Sequence, residues 1–495
     1  MFLILLTLFV AFLFHQMYWR RRKLPPGPIP LPFIGNLLSM LIYGEPGYEV
    51  FIELKKKYGK IYSFTFINMD EVIIADWNLI KETFIKNGSS YTRRLIFPIN
   101  EMIKGGDYGI IETSGDRWKM HRRFILHFLR DSGMGKGLME EKILAEVRNM
   151  ISNLKNDYKN GPIDMQDHLD LGVGSIINSL LFGYRYDESR KNEFFHMRQS
   201  LTKHMKTVGE PAGFLLAMFI WIRHLPYFSS KYAAIKSNVD MVYNLFDEQI
   251  LVHQKNINYD SESCTDIVEA FLKEMKKREN EPVFGGFEIT QLKNICFDLW
   301  VAGMETTSKT LYWAVLYILH HPEVALKMAQ ELDAQIGGDR IVTMDDKAKL
   351  NYVNAVINEV QRLANILPNN LMHTTTKDVE IEGYHIPANT VIVPQISVIM
   401  YDEKIFPEPY KFKPERHLDS SGNPKKIEEL IPFSIGKRQC LGEGLARMEL
   451  FLFIANLYNQ FEILPVDPTN LPTIKKTWDI TMGAQKYQVV LKPRF

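Results

Sequence analysis

The chain has 495 residues, 46% of them hydrophobic and 24% charged, the balance of a globular protein with a large buried core, which excludes extensive disorder. Its 59 basic and 58 acidic residues leave a formal net charge of +1, so no global field selects nucleic acid or another polyanion, and charge-based recognition has to be local. The three cysteines, Cys264, Cys296 and Cys440, include no Cys-x-x-Cys pair, which excludes a disulfide framework and a structural zinc site and fits a reducing compartment.

Met1 to Trp19 is almost unbroken apolar surface, interrupted late by His15 and Gln16 and followed by Arg20, Arg21, Arg22 and Lys23. A spanning helix needs roughly 20 apolar residues, so the segment is at the lower limit and a cleavable signal is the competing reading. A secretory signal carries its positive charge before the apolar run and small residues after it; here the basic cluster follows and no such cleavage site appears. Residues 1–23 are therefore read as a retained anchor with a basic stop-transfer, and the positive-inside bias puts Met1 in the lumen and the rest in the cytosol. Pro25-Pro26-Gly27-Pro28 cannot continue a helix, so residues 24–30 are read as a stiff extended hinge and 31–495 as one catalytic domain.

Val50, Phe51 and Leu54 ahead of a lysine run predict a short helix that ends at Gly59. Residues 61–66 and 72–75, flanking Asn68-Met69-Asp70, predict a half-buried hairpin. Helical periodicity then dominates, over 116–130, 140–154, 239–254, 289–320, 322–335, 350–364 and 443–459, and strand signals return at 379–381 and 391–393. The predicted fold class is mainly α with a small β subdomain. The charged stretch 276–286 is too short to divide two domains. Gly133-x-Gly135-x-Gly137 follows a helix rather than a strand and lacks the dinucleotide-turn spacing, so it is read as a loop, and the chain shows no flavin or nicotinamide site of its own.

The chemistry gathers near the carboxyl end. Phe433-Ser434-Ile435-Gly436-Lys437-Arg438-Gln439-Cys440-Leu441-Gly442 places a thiol between glycines, just before a helix. Glycines let the backbone approach, free amides can point at the sulfur, and the helix adds its positive end, so the expectation is a lowered thiol pKa. A thiolate donates electron density to haem iron and favours cleavage of the oxygen–oxygen bond. Cys264 and Cys296 read as inert small hydrophobes. The stretch resembles the haem-binding signature of the cytochrome P450 family, Phe-x-x-Gly-x-Arg-x-Cys-x-Gly, at every fixed position. That resemblance makes Cys440 the iron ligand, with Phe433, Gly436 and Arg438 around it.

Other segments resemble the same family in the same order. Ala302-Gly303-Met304-Glu305-Thr306-Thr307 is similar to its oxygen-binding segment, with Ala302 against the haem and Glu305 and Thr306 as the acid and alcohol that pass protons. A glycine inside a helix costs about 1 kcal/mol relative to alanine, so room for a ligand at Gly303 is the expected compensation. Glu359-Val360-Gln361-Arg362 followed by Phe412-Lys413-Pro414-Glu415-Arg416-His417 resembles the family's buried network, in which Glu359, Arg362 and Arg416 are structural. His417 stands where phenylalanine is common, and little effect is expected from it. Trp118 and Arg122, one helical turn apart, resemble the pair that reaches a haem propionate. Arg438, Arg94 and His373 match further propionate positions, an ordinary surface charge being the other reading of Arg94 and His373.

The resemblance runs from the proline hinge to the tail and is closest to microsomal enzymes that oxidise drugs and fatty acids. It implies haem b (iron protoporphyrin IX) between a long central helix and the cysteine loop, and a catalytic domain on the cytosolic face of the endoplasmic reticulum membrane. Electrons would come from an NADPH-dependent diflavin reductase, with cytochrome b5 as an optional second donor, and Lys119, Arg123, Lys437 and Arg447 would form a local basic dock. No nucleic-acid partner is expected. The family's substrate-facing segments correspond to Phe97, Ile103, Ile110, Phe297, Ala302, Leu367, Met372, Ile480 and Met482, which are mostly apolar and suit a fatty acid, eicosanoid-like lipid, steroid or xenobiotic. Residues 214–222 read either as a membrane-touching cavity roof or as a buried helix. The activity implied is insertion of one oxygen atom from dioxygen. One rival is an isomerase or dehydratase of a lipid peroxide, against which the Glu305-Thr306 pair speaks; the other is a non-catalytic haem-thiolate sensor, against which the apolar segments speak.

Overall fold

The computed structural model describes residues 1–43, 47–131, 137–261, 263–477 and 480–495. Gly133 and Gly135 lie outside the described residues, and Gly137 opens the helix Gly137–Asp157. Helices account for most of the chain, around one central helix, Ile289–Leu319. That helix is apolar nearly all round, as a helix packed on every side must be. It lies against Met165–Phe182, Pro226–Asn256, Asn351–Ala364 and Glu443–Gln460.

Gly303 of the central helix is explained by this packing. A Cβ there would sit 2.5 Å from Ile177 Cδ1, so the missing side chain admits the neighbouring helix and makes no room for a ligand, contrary to the sequence expectation. Met165–Phe182 itself escaped prediction because most of its residues are buried and its few polar accessible ones gather mainly in the first turn, leaving no repeating polar face to mark a period. Lys191–Gly209 and Ile267–Lys277 also went unpredicted.

Strands β1 (Ile61–Phe66) and β2 (Met69–Ile74) pair as a hairpin whose tight turn falls at Ile67 and Asn68, so Met69 and Asp70 belong to the strand and not to the turn. Short strands β3 (Arg93–Arg94), β4 (His373–Thr374) and β7 (Val391–Pro394) complete a five-stranded sheet in the order β1-β2-β7-β4-β3. Strands β5 (Val379–Ile381) and β6 (Tyr384–Ile386) form a separate hairpin. At the carboxyl end β8 (Phe461–Pro465) pairs with β11 (Val489–Pro493), and β9 (Lys476–Thr477) with β10 (Gly483–Ala484).

The apolar amino-terminal segment forms the helix Phe2–Met17, none of it buried, and Phe2–Arg21 is long and apolar enough to cross a membrane. The basic residues after it are anchored to the sheet: Arg20 Nε lies 2.7 Å from Asp70 Oδ2, and Arg21 Nη2 donates to Ser63 Oγ at 2.6 Å. The proline segment is docked too. Ser63 N donates to Pro26 O at 3.0 Å, and a Cβ on Gly27 would lie 2.0 Å from Ser63 O, so only glycine lets the segment lie against β1. Residues 24–30 are thus packed on the body rather than swinging as a free hinge.

Candidate active site

Cys440 ends a loop whose shape depends on one glycine. Gly436 has φ +76°, and a Cβ there would meet Phe84 O at 2.0 Å. Downstream, Cys440 N donates to Phe433 O at 2.9 Å, closing the turn, and the helix Glu443–Gln460 starts three residues on. Phe433 lies under the Arg447 guanidinium, 4.8 Å from its ring centre. The thiol is exposed, yet burial is the main influence on its ionisation, so it opens on a void inside the protein. Its pKa is raised, not lowered as the sequence implied. Amide hydrogen bonds from Gly442 and Glu443 and the charge of Arg122 favour the thiolate, as expected, but desolvation, with the negative charge of the Glu443 side chain, outweighs them. Cys296, by contrast, is fully buried and inert, while Cys264 is partly buried.

The central helix borders the same interior. Trp300, Leu311, Tyr312 and Trp313 are buried, whereas Ala302, Gly303, Glu305 and Thr306 between them are half-exposed. Partly accessible positions flanked by such a buried stretch leave this part of the helix open to contact with a bound group. Thr306 Oγ1 donates to Ala302 O at 2.7 Å, which turns the hydroxyl along the helix and leaves its lone pairs open to a donor. Glu305 faces elsewhere: its Oε1 accepts from Thr481 Oγ1 at 2.7 Å and lies 2.6 Å from Lys309 Nζ.

Around the cysteine loop three guanidiniums converge. Arg438 Nε donates to Thr92 O at 2.7 Å and its cation lies 3.8 Å from the Trp118 ring centre. Arg122 donates to Gln439 O at 2.6 Å, and Arg94 Nη1 to Leu371 O at 2.7 Å. Among the described residues none of the three is in ion-pair contact with a carboxylate. Burial, then the neighbouring cations, push Arg438 down to about 8 and Arg94 to about 9. His373, opposite Arg94 across β3 and β4, donates from Nδ1 to Tyr91 O at 2.7 Å, while its Nε2 and the Nε of Arg94 are buried with no partner among the described residues. Arg94 and His373 are therefore interior groups and not the surface charges of the alternative reading. A cluster of buried cations without anions is costly unless a ligand brings the anions.

These observations test a haem directly. Among the described residues no three His, Cys, Asp or Glu side chains could hold a metal ion, so a metal at Cys440 has to bring its other ligands with it, as a porphyrin does. The unpaired guanidiniums suit its two carboxylates, and the half-exposed stripe of the central helix suits its flat face. The residues present fit the group.

Of the substrate-facing residues expected from the sequence, Phe97, Ile103, Phe297, Leu367 and Met372 are half-buried and Ile480 is 37% exposed, while Ile110 and Met482 are closed in the core. Residues 214–222 divide between both readings. Phe214 packs on Phe66 and Phe97, with ring centres 4.8 and 5.8 Å apart, and Leu216 and Ile222 are buried, but Trp221 is 67% exposed.

The sequence reading missed a clamp. Asp298, one turn before Ala302, accepts the amides of Ile110 and Ile111 at 2.7 and 3.0 Å and pairs with Lys104 Nζ at 2.9 Å. Gln291 exchanges two bonds of 2.9 Å with Gly109. Buried polar groups on an otherwise apolar helix were the available signal. Because charge-assisted bonds are worth about 1.5–3 kcal/mol each, Asp298→Ala is expected to destabilise the protein by about 3 kcal/mol and to expose the amides of Ile110 and Ile111 to exchange. Unchanged protection of those two amides would contradict this.

An accessible cysteine just before a helix, a partly accessible stripe on the central helix and cations that await two carboxylates define a haem-thiolate protein. Comparison with known proteins specifies which. The family model for cytochrome P450 matches residues 25–491. Cytochrome P450 2C41 of Canis lupus familiaris is 37% identical over 458 residues, covering 92% of this chain and 91% of that one. Cytochrome P450 2C23 of Rattus norvegicus is 35% identical, covering 96% and 94%, and cytochrome P450 2B19 of Mus musculus is 34% identical, covering 98% of each chain. The chain belongs to the cytochrome P450 family and is an oxidoreductase of its monooxygenase class.

Proposed function

We propose that this chain inserts one oxygen atom of dioxygen into a lipophilic substrate, with Cys440 holding haem b and with electrons drawn from NADPH through a membrane diflavin reductase. The observation that carries the reading is the accessible Cys440 thiol beside two buried guanidiniums, Arg94 and Arg438, and the half-buried Arg122, none of them in ion-pair contact with a carboxylate among the described residues. When bound, haem supplies the iron at which dioxygen is reduced and divided. The balance is substrate, dioxygen, two electrons and two protons giving hydroxylated or epoxidised substrate and one water.

The chain's own residues do the rest. Arg94, Arg122 and Arg438 would hold the propionates by charge-assisted hydrogen bonds, with His373 Nε2 beside them and Trp118 packed under the Arg438 cation. Thr306, its proton committed to Ala302 O, would accept a hydrogen bond from a water and keep that water where protons are needed; Glu305 would resupply them. Glu359, Arg362 and Arg416 would hold the segment that leads into the cysteine loop. Phe97, Ile103, Phe297, Leu367 and Met372 offer apolar contact to a fatty acid, eicosanoid-like lipid, steroid or xenobiotic.

A cleft of about 740 Å³ beside the cysteine loop is lined by Arg93, Lys119, Arg122, Arg123, Arg130 and Lys437 and by no acidic residue, which suits an acidic reductase or cytochrome b5. Arg447 lies outside this lining and is paired with Glu443 at 2.8 Å, and Lys119 is paired with Asp116, so Arg123 and Lys437 carry more of the expected dock. Exposed Phe33 packs on Phe12 of the apolar amino-terminal helix, with ring centres 5.7 Å apart, and Leu41, Ile42 and Trp221 are exposed as well, consistent with an endoplasmic reticulum membrane and a cytosolic catalytic body.

The test is a reconstituted system with reductase and NADPH, screened against lipid extracts and drug-like compounds. Oxygenated product in proportion to NADPH is expected; product formed from lipid peroxides without reductase would favour the isomerase instead. Thr306→Ala is expected to lower product per NADPH by about tenfold or more, with the lost equivalents recovered as peroxide. Unchanged coupling in that variant would remove Thr306 from the proton route.

A further inference from the structure

The central helix carries a cation for which this scheme has no use. Lys309 stands one turn after Glu305, and its Nζ lies 2.6 Å from Glu305 Oε1, with both side chains largely buried. A third group arrives from far along the chain. Thr481 Oγ1 donates to the same Glu305 oxygen at 2.7 Å and accepts from Lys309 Nζ at 2.7 Å, and Lys309 also donates to Thr481 O at 3.1 Å. The donors and acceptors close a triangle: the ammonium donates to carboxylate and hydroxyl, and the hydroxyl gives its one proton to the carboxylate.

The segment that supplies Thr481 is fixed to the helix elsewhere as well. Trp313 Nε1 donates to Met482 O at 3.0 Å, and Met482 N donates to Ile366 O at 2.7 Å. Gly483 packs close beside them: a Cβ there would lie 3.0 Å from Thr477 Oγ1 and 3.8 Å from Lys309 Cε. Glu305 is thus tied through one oxygen to the segment between β9 and β10, whereas the Thr306 hydroxyl beside it donates within the helix.

We propose that Lys309 and Thr481 are positioning residues that latch Glu305 to the carboxyl-terminal strand pair and so restrain proton delivery to Thr306 in the substrate-free enzyme. This rests on the reading of Glu305 and Thr306 as the proton route. A carboxylate whose oxygen takes two donors has to break both bonds before it can turn toward Thr306, and the latch adds no reactant, since protons come from solvent and electrons from NADPH through the reductase. The segment between β9 and β10 that holds Glu305 also carries Ile480, 37% exposed, so the restraint sits where substrate contact is expected to lift it.

The holoenzyme with reductase, without substrate, provides the test. Lys309→Met keeps the apolar stem and removes the charge, Thr481→Val removes the hydroxyl, and Lys309→Arg keeps both. The first two are expected to raise substrate-free NADPH consumption about tenfold, the effect of one latch bond worth ~1.4 kcal/mol, and to shrink its solvent deuterium isotope effect. Amide exchange at Thr481 to Ala484 rises by a similar factor in both, while Lys309→Arg stays near wild type. Faster exchange with unchanged NADPH consumption and isotope effect would leave Lys309 a purely structural residue and overturn the proposal, as would unchanged exchange. Thr306→Ala separates the two readings: if it uncouples turnover and Lys309→Met has no effect, the latch alone fails, and if it does not, the proton route fails first.

Discussion

Serine at position 440 is expected to yield a folded protein with no turnover above background and without the red-shifted Soret band that a thiolate gives a reduced, carbon monoxide-bound haem. The backbone argument predicts folding. The loop is closed by Cys440 N on Phe433 O, by Arg122 on Gln439 O and by the glycine conformation at 436, none of which involves the sulfur. The electronic argument predicts loss of function, because a hydroxyl is far harder to ionise than a thiol and gives the metal little electron density. Burial pushes even the thiol upward, against the amides of Gly442 and Glu443 and the charge of Arg122. Those same groups stabilise an anion once iron replaces the proton. Far-ultraviolet circular dichroism should match the parent, and retained turnover with the parental Soret band would remove Cys440 from the metal.

What could be read from the chain alone followed the physical range of each signal. Periodicity and stop signals give the helix 322–335 to the residue and overrun the central helix, 289–319, by only one, because both signals lie within each helix's own sequence. The cysteine loop was legible because its spacing is local. Arg94 and His373 were ambiguous for the opposite reason: they sit in two-residue strands whose burial depends on pairing between segments 279 residues apart, which no window can see. Gly303 misled because its true neighbour, Ile177, lies on a helix with no visible period. The Glu305 carboxylate was placed in the proton route from its neighbour Thr306, while its contacts with Lys309 and Thr481 came from one helical turn and from a distant strand.

His417 shows most clearly how a departure from the family's usual residue can change the energetics. It is not a bystander. Its Nε2 lies 2.9 Å from Glu359 Oε2, and the ring is buried, so it is a fourth member of the network and not the neutral replacement expected from the sequence. A carboxylate only accepts, so Nε2 carries the proton, which leaves Nδ1 as the buried, unpartnered lone pair. Burial first of all lowers the His417 pKa, so the imidazole is neutral near pH 7. Glu359 also receives Arg362 Nε and Nη2 at 2.8 Å each, Arg416 Nε at 3.0 Å and the Lys413 amide at 3.0 Å. Arg362 reaches onward to Met400 O at 2.9 Å, joining its helix to the segment after β7.

Glu359→Gln is therefore expected to cost about 3–5 kcal/mol, the range for breaking a buried ion pair, because it leaves two buried guanidiniums facing an amide that can itself donate. Against a total stability of roughly 5–15 kcal/mol, that is enough to prevent recovery of haem-loaded protein at growth temperature, as read by yield and by the denaturant midpoint. Acid should act through the same carboxylate. Burial alone would raise its pKa, but the bonds from Arg362 and His417 outweigh it and hold the group at about 2, below the ordinary 4.5. The stabilisation is then complete above pH 4.5 and is lost as pH falls from there toward 2, so the parent should show an acid-dependent fall in midpoint that Glu359→Gln lacks. His417→Phe removes one donor and no net charge, and is expected to cost about 1–3 kcal/mol, less than Glu359→Gln. A Glu359→Gln midpoint equal to the parent's would mean that the four side chains meet without supporting the segment that carries Cys440.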